Sequence, residues 1–280
     1  MLRTFITNTL CGRTESTDPL RTWNRVRAMT DGKSGAHVYL VKKANVLGVL
    51  KLYAPSTDSR RSVRDIAMTV ILPDSISPHV FEYGVYNTRP WIIMEKLEGH
   101  ELYDYQPSGT QKDLEILSSI LVALNSFDRT VQEVYNRDHK DTLQPCHRDL
   151  HPHNIFICGG VAKLIDFDLA ISPFDVLRDT TSTHRQQALH HPWLDYMIGN
   201  YSESTEKYVH WSNLFDSVPD YIRNDSDLFQ LYSVFSYFSK FNTKLAPLLK
   251  RLKTPHTRRG FLRTTAAHLE KTIVPRSLHF

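Results

Sequence analysis

The stretch that most constrains this chain is PCHRDLHPHNIFICGGVAKLIDFDLA, residues 145–170. It holds two short apolar runs, NIFIC and VAKLI, separated by Gly159-Gly160. Paired glycines supply the positive φ angles of a tight hairpin, so the two runs are expected to fold back on each other. Asp149 stands before the first run, Asn154 opens it and Asp166 comes just after the second, which returns Asp166 to the side of Asn154. Two oxygen ligands and a further carboxylate meeting at one point suit a hard divalent cation such as Mg²⁺. Any one of these residues alone would serve equally well in a turn or a cap. All of them at this spacing around an apolar hairpin favour a functional site.

The rest of the composition is that of an ordinary globular chain. Of its 280 residues, 41% are hydrophobic and 23% charged, which provides for a core and excludes global disorder. The net charge of +4, from 34 basic against 30 acidic side chains, is too mild to imply nucleic-acid or membrane-surface binding. Cys11, Cys146 and Cys158 are an odd, sparse set without a CxxC pair, so neither a disulfide framework nor a zinc site is expected. No stretch approaches the roughly 20 apolar residues of a membrane span, and threonines with Asn8 break up the start of the chain. A cytoplasmic protein in a reducing compartment is the expectation.

The chain changes character along its length. Residues 1–20 read as an N-terminal extension. In 21–97, VYLVKK, VLGVLKLY, VFEYGVY and PWIIMEKL have strand composition, with Ala44-Asn45 as a turn. Between them, SRRSVRDIAMTVILP carries Val63, Ile66, Ala67, Val70 and Ile71 at helical spacing and stops at Pro73. From Asp113 the helical period takes over in DLEILSSILVALNSF, DLFQLYSVFSYFSKF and LAPLLKRLK, broken only by the hairpin. The expected fold is α+β: a small antiparallel β-rich lobe with one helix, a larger mainly α lobe over 98–280, and a cleft between them.

HRDLHPHN followed by IDFD resembles the catalytic and metal-binding loops of the protein-kinase-like superfamily, and the resemblance spans nearly the whole chain. It implies a bilobal phosphotransferase using ATP and Mg²⁺. Asp149 matches the catalytic residue that accepts the substrate hydroxyl proton, and Asn154 and Asp166 match the metal ligands. His147 matches a structural histidine, and Arg148 an arginine that in some members pairs with a phosphorylated activation segment. Upstream, Gly32, Ser34 and Gly35 in DGKSGAHVYLV resemble the loop that covers the phosphates. It is not a Walker A loop, because the earlier glycine and the following helix are missing. Lys51 matches the phosphate-binding lysine. Asp65 takes the place of the helix Glu that pairs with it, one methylene shorter. Met94, Glu95 and Leu97 fall at the hinge, where backbone groups of Glu95 and Leu97 would read an adenine edge. Downstream, Asp227 matches an aspartate that braces the catalytic loop, and Pro255 with Arg258 resembles a late segment of the fold.

Two branches of the superfamily are mixed here. GKSGAHVY, the HPHN turn with His151, and DFD in place of DFG resemble aminoglycoside and choline phosphotransferases. The short stretch between Glu95 and Asp149, the Asp227 helix and the Pro255–Arg258 segment resemble protein kinases. The preferred expectation is an atypical Ser/Thr protein kinase acting on a protein substrate. The alternatives are a small-molecule alcohol kinase, and a pseudokinase that binds without chemistry. Asp168 is expected to cap the turn that follows it, with a second metal-binding carboxylate as the alternative. The hydroxyl cluster Thr180–Thr183, between Arg178 and Arg185, is a candidate for phosphorylation that Arg148 would receive. The basic run of Lys250, Arg251, Lys253, Arg258, Arg259 and Arg263 reads as a solvated helix face with one structural arginine.

Overall fold

A computed structural model describes residues 18–29, 36–55, 59–136, 145–171, 218–223, 225–254 and 257–273. The chain is mixed α+β. Five strands, β1 (Asn24–Ala28), β2 (Ala36–Lys43), β3 (Val46–Tyr53), β4 (Val80–Tyr86) and β5 (Arg89–Glu95), form an antiparallel sheet in the order β1-β2-β3-β5-β4. Ala44, at φ 50°, turns β2 into β3, and Asn87-Thr88, at φ 48° and 64°, turn β4 into β5. Helix α1 (Ser59–Ile71) crosses over from β3 to β4 and ends just before Pro73, as its apolar spacing requires.

The twofold period of the strands decides what each face carries. Leu50, Trp91 and Ile93 pack with Trp23 and Val41 on one face. Tyr53 and Ile92 pack with Ala36, Ile66 and Ala67 on the other, against α1. Lys51 shares the parity of Tyr53 and therefore points to the α1 side. β1 was not foreseen, because all five of its residues are exposed and no apolar alternation marks it.

The described residues from 98 onward are mainly helical. α2 (Gln111–Asn136) runs 26 residues, well past the stretch DLEILSSILVALNSF, because Val131 and Tyr135 continue its buried stripe. Asp113 in its first turn reaches back to the N–H groups of Ser108 and Gly109, at 3.2 and 2.6 Å. α3 (Asp220–Arg223), α4 (Ser226–Ser239), α5 (Ala246–Arg251) and α6 (Arg258–Ile273) follow. The spacing of Phe261, Leu262, Thr265 and Leu269 was the available signal for α6, which the basic residues around it obscured. The largest core cluster joins α2 and α4 to the hairpin and includes Phe127, Phe167, Phe229 and Phe235.

The hairpin forms as its glycines demand. β7 (Ile155–Cys158) and β8 (Val161–Leu164) are antiparallel, joined by Gly159 and Gly160 at φ 58° and 88°. β6 (His100–Glu101) adds a third strand beside β7. A Cβ on Gly99 would sit 2.3 Å from the Ile157 carbonyl oxygen, so this approach needs glycine. The hairpin is sewn to the segment between α1 and β4 by the Leu164 N–H, which donates to the Ile76 carbonyl at 2.8 Å. Among the described residues no helix is long and apolar enough to cross a membrane.

Candidate active site

Hairpin closure brings the two ends of the 145–170 segment together. Ile165 N–H donates to the Asn154 carbonyl at 3.1 Å, and Ile171 N–H to the Cys146 carbonyl at 2.7 Å. His147 lies buried between them, with Nε2 at 3.1 Å from the Ile165 carbonyl and Nδ1 accepting the Asp149 N–H at 3.4 Å. It is a support for the loop, in keeping with the sequence expectation.

Asp149 is 6% exposed. Its Oδ2 accepts from Asn154 Nδ2 at 3.0 Å and faces His151 Nε2 at 3.5 Å. Asn154 Nδ2 also donates to the Asp149 carbonyl at 2.9 Å, which leaves the amide oxygen of Asn154 as an electron-pair donor. Asp149 Oδ1 is buried and has no hydrogen-bond partner among the described residues. Left unmet, such an orphan costs about 1–3 kcal/mol, which a ligand hydroxyl donating to it would relieve.

A second cluster lies between β3, α1 and the residues after β8. Lys51 Nζ stands 2.7 Å from Asp65 Oδ2 and 2.7 Å from Asp166 Oδ1. The shorter acid at position 65 therefore does reach the lysine. Tyr53, two residues on along β3, donates its hydroxyl to the same Asp65 oxygen, while Asp65 Oδ1 accepts the Phe167 N–H at 2.8 Å. Burial opposes the charge on Lys51, yet Asp166 and Asp65 outweigh it and hold the ammonium well above its ordinary value. Burial likewise opposes ionisation of Asp166, and Lys51 overcomes it, so this carboxylate stays below its usual range. Asp166 is ionised and keeps a second oxygen beyond the one facing Lys51.

Two residues at the site hold left-handed backbone: Arg148 at φ 67° and Asp166 at φ 63°. Each costs about 1–2 kcal/mol outside glycine and persists only where surrounding contacts enforce it. For Arg148 the enforcing group is Asp227 on α4, fully buried, whose two oxygens accept the N–H groups of His147 and Arg148, both at 2.8 Å. Arg258, at the start of α6, anchors Asp227 in turn. Its guanidinium contacts Asp227 at 2.9 Å, Asp225 at 2.8 Å and Asp128 at 2.9 Å. Burial and the crowding of carboxylates push Asp225 and Asp128 up, whereas Arg258 and the backbone donors keep Asp227 down despite its burial. Cys146, Asp225 and Asp227 also converge closely enough to ligate a metal, but the guanidinium already occupies the two carboxylates.

The remaining sequence candidates fall as follows. Glu95 and Leu97 sit at and just past the end of β5. The Glu95 side chain accepts from Lys163 Nζ at 2.7 Å, and its N–H donates to the His79 carbonyl at 2.7 Å. Gly32, Ser34 and Gly35, Pro255, and Thr180–Thr183 lie outside the described residues. The expectation for Asp168 is corrected: instead of capping the next turn, its buried carboxylate meets Arg61 Nη2 of α1 at 2.5 Å. Burial, with Asp166 and Asp65 nearby, pushes Asp168 up to about 7 against the pull of Arg61. Tyr53, Arg61 and Arg64 carried no sequence signal beyond their presence on β3 and α1.

No protein-family model matches this chain, and no curated protein matches it in sequence.

Proposed function

We propose that this chain is an ATP-dependent phosphotransferase with a bilobal protein-kinase-like architecture, and that its acceptor is a hydroxyl group, most consistent with an atypical Ser/Thr protein kinase. The observation that carries the reading is the meeting of Lys51 with Asp166 at 2.7 Å, from elements 115 positions apart, beside a loop that buries Asp149.

The donor set fits a hard divalent cation. Asp166 offers an ionised oxygen and Asn154 an amide oxygen, both of them hard donors. Mg²⁺ held by these two would neutralise charge on the transferring phosphates. Lys51, kept protonated by its two carboxylates, contributes a fixed positive charge for the nucleotide phosphates. Glu95 has its N–H committed, so recognition of a base edge falls to its other backbone group and to Leu97.

Asp149 orients the acceptor hydroxyl and takes its proton as the acceptor oxygen bonds to the γ-phosphorus. The bond from that phosphorus to the β,γ-bridging oxygen breaks, and ADP leaves. Catalysis of this kind rests on positioning and on fixed charge, and Lys51, Asp149, Asn154 and Asp166 are each held by at least one hydrogen bond or ion pair.

The test is incubation of the purified chain with γ-labelled ATP and Mg²⁺ together with a cell lysate and, separately, with aminoglycosides and amino alcohols. Labelled Ser or Thr in polypeptides is the expected product. Label confined to small molecules would overturn the protein-kinase assignment, and failure to bind nucleotide would overturn the whole reading.

A further inference from the structure

Asp166 and the residues after it are tied to α1 by more than the lysine bridge. The Asp168 side chain is 3% exposed and accepts from Arg61 Nη2 at 2.5 Å. Its backbone carbonyl accepts from Arg64 Nη1 at 2.7 Å. Asp65, on the same stretch of helix, accepts the Phe167 N–H at 2.8 Å. Positions 61, 64 and 65 are three and four apart, so one face of α1 presents all three groups to residues 167–168.

We infer that Arg61 and Asp168 form a strap that docks α1 onto the 166–168 turn and holds Asp166 in its ligating position before any ligand arrives. Both are positioning residues, acting through Asp166, and the inference rests on Asp166 being the metal-binding carboxylate. Two features make a strap necessary. Asp166 has φ 63°, a backbone that relaxes unless its neighbours are fixed. The Asp168 side chain is also buried, at 3% exposure, and Arg61 brings a guanidinium across from α1 to meet its carboxylate. A glycine at 168 would offer neither an anchor for the helix nor a restricted backbone. With Asp168, the helix, the lysine pair and Asp166 form one preassembled unit.

Hydrogen–deuterium exchange on the full chain without nucleotide tests this independently of activity. Arg61→Ala and Asp168→Gly should each speed exchange of peptides covering 165–171 roughly tenfold, leaving peptides of α2 and α4 unchanged. Arg61→Lys, which keeps a charged donor on α1, should recover most of the protection, and the Arg61→Ala/Asp168→Gly double variant should exchange no faster than either single one. In a parallel titration, the half-saturating Mg²⁺ concentration for nucleotide binding should rise about tenfold in Arg61→Ala, with less change in ATP affinity at saturating Mg²⁺. Exchange within twofold of the native chain in Arg61→Ala, or independent additive effects in the double variant, would overturn the strap. If exchange responds as expected while the native chain binds no nucleotide, the strap stands and the phosphotransferase reading falls.

Discussion

Replacing Asp227 by alanine removes the group that sets the backbone ahead of Asp149. Its two oxygens hold the His147 and Arg148 N–H groups at 2.8 Å, and alanine would leave both donors buried. Hydrogen bonds to a charged acceptor are worth about 1.5–3 kcal/mol each. Arg258 also loses one of three partners, but Asp225 and Asp128 remain and are freed of their repulsion from the third carboxylate, which returns on the order of 1 kcal/mol. The net expectation is a loss of about 2–5 kcal/mol, a large share of the roughly 5–15 kcal/mol that stabilises a typical fold. Urea unfolding followed by tryptophan fluorescence measures it directly. At a slope of about 3 kcal/mol per molar, the midpoint should fall by about 1 M with the slope unchanged. Arg148, released from φ 67°, should relax and take Asp149 with it, so activity should fall further than the folded fraction does. A loss below about 1 kcal/mol would refute the bracing role and the reckoning behind it.

Asp65→Asn should cost about 3 kcal/mol and weaken nucleotide binding, because it breaks a buried pair with Lys51; differential scanning calorimetry and a fluorescent nucleotide read the two effects. Tyr53 and Lys51 both have values raised on folding, so the native chain binds more protons than the unfolded one above about pH 10, and stability falls as pH rises from there. Tyr53→Phe should flatten that alkaline decline by up to about 1.4 kcal/mol per pH unit, measured as the urea midpoint between pH 9 and 11. Gly99→Ala should lower the melting temperature by several degrees, since its methyl group would meet the Ile157 carbonyl at 2.3 Å.

Local pattern carried much of this structure in the sequence. The Gly159-Gly160 hairpin, the apolar stripe of α1 and the strand character around Lys51 each arise from a rule acting over a few residues, and each is found. The bracing aspartate at 227 was legible only through resemblance, since nothing local distinguishes it from a helix-start acid. What stayed hidden is tertiary. Arg61 and Asp168 lie 107 positions apart, and no spacing rule ties a helix arginine to a loop aspartate. Asp168 read as a turn cap because caps are local and its partner is not. Arg258 stood within a basic run whose neighbours are exposed, and only the fold separates the one buried guanidinium from the rest. Strand β1 escaped because an edge strand exposed on every residue has no alternation to read.

The central claim, phosphate transfer from ATP through Asp149, is tested most directly by one comparison. The native chain and Asp149→Asn are each given γ-labelled ATP, Mg²⁺ and an acceptor identified from the labelling screen, and transferred phosphate is counted against time while nucleotide affinity is measured in parallel. Asn keeps the shape of the side chain and loses its capacity to take a proton, so turnover should fall by at least about 100-fold with nucleotide affinity within about threefold of native. Undiminished transfer by Asp149→Asn would contradict the account.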